Sequence, residues 1–128
     1  MSEMQSNERR MTAEEERLVR WMLEHGDPEA KPFLQQLELV RVTAWRCKCG
    51  CASINFMVEG HTTQSVGLHP IADFVFGDDG EESGIFVYEK GGVLAGLEVY
   101  GMSGEAPKSL PVPESLRPFP PNTTRKPT

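Results

Sequence analysis

The sequence predicts an α+β domain: two N-terminal helices packed on one face of a mainly antiparallel sheet of about five strands, then a Pro-rich C-terminal tail. Three observations predict it. Apolar residues recur at helical spacing only before residue 40, alternate at strand spacing between 40 and 100, and give way to crowded prolines at the end. Helices first and strands afterwards favour helices layered on an antiparallel sheet over alternating βαβ units.

Residues 1–11 read as a flexible leader. Thr12-Ala13-Glu14-Glu15 is a capping box, in which the Thr12 hydroxyl accepts from the Glu15 amide and the Glu15 carboxylate reaches back. Glu14 to Glu16 lie where a helix dipole favours negative charge. Leu18, Met22 and His25 recur at helical spacing, Trp21 and Leu23 widen the stripe, and Gly26 offers a left-handed C-terminal residue. A helix over 13–25 follows. Asp27-Pro28 restarts the chain with an N-cap and a first-turn proline, and Pro32 interrupts it. The expectation is one helical turn and then a short helix over 32–38 carrying Phe33, Leu34 and Leu37.

The period then changes. Val40, Val42 and Ala44 alternate with Arg41, Thr43 and Trp45, and Ala52, Ile54, Phe56 and Val58 with Ser53, Asn55 and Met57, giving strands over 40–45 and 52–58. Residues 60–69 form a loop and 71–76 a third strand. Residues 85–90 and 93–100 are joined by Gly91-Gly92, the composition a primed two-residue turn demands, so an antiparallel hairpin is expected. Seven of the ten prolines lie in the last 23 residues, and without amide donors they cannot join a ladder. The chain therefore divides into the leader, a single domain over 12–105, and an extended tail over 106–128 that docks in part through Leu110, Val112, Leu116 and Phe119.

A length of 128 residues suits one ordinary domain. No run approaches the roughly 20 apolar residues of a membrane span, so no membrane partner is expected. The polar start, Met1 to Arg10, has no apolar segment of the secretory kind, so a cytoplasmic location is expected. The formal net charge is −6, and residues 59–105 carry nine acids against Lys90 alone. Such a surface repels phosphate backbones, which argues against nucleic acid; it reads first as a solvated acidic face that keeps a small protein soluble, and otherwise as a surface complementary to a basic protein partner.

All three cysteines fall in Cys47-Lys48-Cys49-Gly50-Cys51. An odd count at this spacing is no secreted disulfide framework. Three readings are open. The thiols serve as small, inert framework residues between two strands. Alternatively they ligate a metal, zinc by preference, with His61 or His69 as further candidates. Were residues 47–51 extended, alternate side chains would stand about 6.6 Å apart, too far for neighbouring tetrahedral ligands, although Gly50 could fold the segment. In the third reading one thiol is reactive, its pKa lowered by Arg46 and Lys48, with His25, His61 or His69 as base. The framework reading implies no cofactor. Asp78-Asp79-Gly80-Glu81-Glu82 lacks the spaced ligands of a calcium loop and reads as an exposed acidic turn. Asn122-Thr123-Thr124 fits a glycosylation sequon that matters only in a secreted chain.

The run Cys47-Lys48-Cys49-Gly50-Cys51-Ala52-Ser53-Ile54, taken with Gly84-Ile85-Phe86-Val87-Tyr88 and Leu97-Glu98-Val99-Tyr100, resembles a group of small uncharacterised bacterial proteins. They are similar in a Cys-Gly-Cys step before a strand, a late Leu-Glu-Val-Tyr hairpin strand and a Pro-rich tail. The resemblance covers roughly residues 12–120 and implies no activity, cofactor or catalytic residue. Where that group commonly has Pro after the Cys-Gly-Cys step, this chain has Ala52, and Cys47 is an addition.

Together these readings lead to a binding domain that acts by contact with another protein or with itself, more an interaction module than an enzyme. The hairpin and the strand near Ile71 would leave an unpaired sheet edge as the contact surface, and docking of the Pro-rich tail across a neighbour is another route. The alternative is a metal or reactive-thiol protein using Cys47, Cys49 and Cys51.

Overall fold

A computed structural model describes residues 8–62, 65–102 and 104–118. The elements are β1 (Arg9–Arg10), α1 (Ala13–His25), a 3-10 helix (Pro28–Leu39), β2 (Val40–Val42), β3 (Ile54–Val58), β4 (His69–Phe76), β5 (Ser83–Lys90), β6 (Val93–Gly101) and a short 3-10 turn (Pro113–Ser115). The strands form one sheet of six in the order β1-β2-β3-β6-β5-β4, each neighbour antiparallel. The protein is an α+β domain on a mainly antiparallel sheet.

The sixth strand is β1. Arg9 and Arg10 fall in the segment expected as a leader, yet they pair with Val42 and Arg41. Two charged residues are too few to show alternation, so nothing local announces this strand.

Helix α1 starts where its capping box sits: the Glu15 amide donates to Thr12 Oγ1 at 3.1 Å and the Thr12 amide to Glu15 Oε1 at 2.9 Å. Leu18, Val19, Met22 and Leu23 belong to the same buried cluster as Phe56, Ile71, Ile85, Val87 and Leu97. The Trp21 ring packs against Phe74 with centroids 5.1 Å apart.

Gly26 departs from expectation. Its φ is −85°, an ordinary value, and not the left-handed conformation. Close approach is the reason glycine is needed: a Cβ there would lie 2.5 Å from Ala72 Cβ and 2.9 Å from the Ile71 carbonyl oxygen. The next residue is tied to the same place, since the Asp27 amide donates to the Ile71 carbonyl at 3.1 Å.

From Pro28 the chain is one continuous 3-10 helix to Leu39 instead of a turn and a separate helix. Pro32 lacks the amide an α ladder requires and clashes with the turn before it, which removes the α alternative there. Gln36 on this helix clamps the hairpin: its Nε2 donates to the Gly92 carbonyl and its Oε1 accepts from the Leu94 amide, both at 2.8 Å. The β5–β6 hairpin turns on Gly91 and Gly92, with φ of 61° and 90°. Two successive positive φ values define the primed turn whose twist matches the flanking strands.

The hairpin is interior to the sheet and not an edge. The edge strands are β1 and β4, and at Val75 β4 is paired by reciprocal bonds to Arg117 of the tail at 2.8 and 2.9 Å. The tail also buries Leu116, whereas Val112, expected to dock, is 56% exposed. Phe119 and the sequon at Asn122 lie outside the described residues. No helix among the described residues is long and apolar enough to cross a membrane.

Replacing Gly26 with Ala should destabilise the fold by about 2 kcal/mol through overpacking against β4. Gln36→Ala should cost about 1–3 kcal/mol by orphaning the Leu94 amide. Urea unfolding followed by tryptophan fluorescence measures both, and a loss below 0.5 kcal/mol (roughly the background of surface changes) would contradict these assignments.

Candidate functional site

The cysteines lie in the loop between β2 and β3. Strand β2 stops at Val42, short of the expected residue 45, because the chain turns on its own side chains: the Trp45 amide donates to Thr43 Oγ1 at 3.3 Å. Strand β3 starts at Ile54, two residues later than expected, and the two residues before it are satisfied elsewhere. The Ala52 amide donates to the Pro107 carbonyl at 3.0 Å. Buried Ser53 accepts from the Val99 amide at 2.9 Å and donates to the Val99 carbonyl at 3.3 Å, so its hydroxyl takes the place of a ladder pair with β6.

Residues 47–50 make a tight turn closed by the Gly50 amide and the Cys47 carbonyl at 3.0 Å, with Gly50 at φ +83°. This turn abolishes the extended spacing that would separate the thiols. Cys47 Sγ and Cys49 Sγ are 2.7 Å apart, the Cys51 amide donates to Cys49 Sγ at 3.3 Å, and all three sulfurs lie within 4.8 Å of one another. The three form a group able to hold a metal ion. Cys49 is exposed, while Cys47 and Cys51 are partly buried.

The thiols are inequivalent. The hydrogen bond with Cys47, and then that with Cys51, pushes Cys49 up to about 11. Burial pushes Cys51 up as well, but hydrogen bonds from Ser53 and Cys49 outweigh it and bring Cys51 down to about 7. Its own S–H donates to Ser53 Oγ at 3.3 Å.

Beside the thiols is a cavity of about 330 Å³ lined by three stretches of chain: Arg9 and Glu15, residues 46–54 in part, and Lys108 to Leu110. Glu15 is fully engaged. Both its oxygens accept from Arg9, at 2.9 and 3.0 Å, and Oε1 also accepts from Thr12. Burial raises the Glu15 carboxyl, but the Arg9 guanidinium and the Thr12 amide overcome that and hold it below the usual range. Arg46 and Lys108 have no carboxylate partner among the described residues.

The histidines do not join the cysteines. His61 is an exposed loop residue whose amide donates to the Val58 carbonyl. His69 begins β4, the strand at the far edge of the sheet from β1 and β2, with Nδ1 2.8 Å from Glu89 and Nε2 3.4 Å from Glu29. The hydrogen bond to Glu89 raises its pKa. His25 stacks on Trp21 and donates from Nδ1 to the Trp21 carbonyl at 2.8 Å. Asp78 to Glu81 is an exposed turn closed by the Glu81 amide and the Asp78 carbonyl, and Glu82 after it is half-buried. The sequence named the thiols but missed Arg9, Glu15, Ser53 and Lys108. Only Ser53, two residues from Cys51, carried a local signal.

No protein-family model, curated protein or solved structure matches this chain. The geometry of the site therefore carries the functional reading.

In metal-free protein, alkylation of Cys51 should rise as pH passes about 7 and that of Cys49 only toward about 11. The sign follows from thiolate being the nucleophile: a lowered pKa supplies it at lower pH. Peptide mass spectrometry after short iodoacetamide pulses tests this, and Cys49 labelling ahead of Cys51 at neutral pH would contradict it.

Proposed function

We propose that this chain is a thiolate metal-binding domain in which Cys47, Cys49 and Cys51 hold one zinc ion and leave a fourth position open toward the cavity. The observation that carries the reading is the convergence of all three sulfurs within 4.8 Å. With Zn–S bonds of about 2.3 Å, tetrahedral thiolates stand about 3.8 Å apart, a spacing this group reaches by small side-chain rotations. The Cys47–Cys49 pair at 2.7 Å must open and does so at exposed Cys49. Three thiolates on a divalent ion carry one net negative charge, which Arg46 and Lys108 offset at the cavity wall.

The ion binds reversibly and does not staple the fold. Its ligands occupy one loop and none of them belongs to the buried apolar cluster of α1 and the strands, which meets the site only where Ile54, Ala52 and Leu110 line the cavity. This favours a site for metal exchange or substrate binding over a structural zinc, which recruits four protein ligands.

Purified protein should bind one equivalent of zinc, and Cys→Ser at positions 47, 49 or 51 should each weaken it at least about 100-fold. Chelation should leave the far-ultraviolet circular dichroism unchanged. Competition titration against a chromophoric chelator measures the affinity. Less than a tenth of an equivalent bound, or an affinity indifferent to Cys49→Ser, would overturn the proposal.

A further inference from the structure

The open position raises the question of what completes it, and the cavity wall is specific about charge. Among the described residues Glu15 is the one acid lining the cavity, and Arg9 and Thr12 already use its oxygens. Neither histidine nor a second carboxylate joins the sulfurs among the described residues. The fourth donor must then come from outside, through a space of about 330 Å³, the lower end of the range for small-molecule sites.

Two cations face that space without a carboxylate partner among the described residues. Arg46 and Lys108 line it, and Lys108 Nζ lies 4.0 Å from where a Gly50 side chain would begin, directly over the turn that carries Cys49. Two cations converging on one cavity are out of keeping with a chain of net charge −6. A ligand that satisfies both walls needs a soft donor for a thiolate-bound metal and a carboxylate for the guanidinium and ammonium groups.

We propose that the cavity binds a small anionic thiol, a molecule bearing one thiol and one carboxylate, with its sulfur as the fourth metal ligand and its carboxylate held by Arg46 and Lys108. This rests on the metal reading above. A divalent ion with four thiolates carries two negative charges and the carboxylate adds a third, and Arg46 and Lys108 at the cavity wall offset two of the three. Binding replaces S–H by S–metal, releases the proton to solvent and changes no oxidation state.

Cobalt(II) in place of zinc gives the test a visible readout. Titration with cobalt alone comes first. Thiolate-to-cobalt charge-transfer bands are expected, and their absence would remove the metal reading and this inference with it. Mercaptoacetate is then compared with neutral 2-mercaptoethanol and with acetate. Mercaptoacetate should bind about tenfold more tightly than mercaptoethanol and add to the charge-transfer intensity, while acetate adds none. In the Arg46→Ala/Lys108→Ala double variant the preference should vanish; it is read as the ratio of the two thiols' affinities at saturating cobalt, so the weaker metal binding expected from losing two offsetting charges does not enter it. Equal affinity for the two thiols, unchanged charge-transfer intensity, or a preference that survives the double substitution would overturn the inference while leaving the metal site intact.

Discussion

Every backbone amide and carbonyl that leaves a sheet for a loop must find a new partner, and that constraint shapes the region around the cysteines. Ser53 meets it first. Its buried hydroxyl accepts from the Val99 amide and donates to the Val99 carbonyl, occupying both groups that a β3 residue would otherwise have paired. The chain is thereby freed from the ladder one residue before Ile54. Ala52 then turns its amide to Pro107 in the tail, so the tail becomes part of the site's wall. Only with those two ties in place can Cys51 turn back toward Cys47 and Cys49, and the same Ser53 oxygen receives the Cys51 thiol.

The electrostatics follow from the same arrangement. Arg9 in β1 and Glu15 at the start of α1 neutralise each other beside the cavity, so neither attracts or repels a ligand strongly. Arg46 arrives on the loop and Lys108 on the tail, and neither has a carboxylate partner among the described residues. An otherwise acidic molecule therefore presents its thiols in a locally cationic setting. The site is assembled from a strand, a helix terminus, a loop and the tail, each delivered by a different part of the fold.

Local chemistry made some of this legible in the sequence. The capping box of Thr12 and Glu15 announced where α1 begins, and Gly91-Gly92 announced a primed turn because two positive φ values in succession all but demand glycine. The cysteine run marked the candidate site. What stayed hidden was non-local. Gly26 is required by the approach of β4, over forty residues away, so no reading of α1 alone could separate this from a left-handed cap. Arg9 and Arg10 carry no pattern, and they become a strand only because β2 offers an edge. An extended strand through Cys47, Cys49 and Cys51 would have spread the sulfurs, whereas the Gly50 turn, the one local feature able to fold the segment, gathers them. Lys108 reaches the site through a Pro-rich segment with no periodicity to read.

The central claim is that three sulfurs of one loop act together on a single ion. X-ray absorption at the zinc edge of the loaded protein tests it most directly. Three sulfur scatterers per zinc at about 2.3 Å, with one lighter atom completing the shell in the absence of added thiol, is the expected result. A shell built mainly of nitrogen and oxygen, with one sulfur or none, would contradict it.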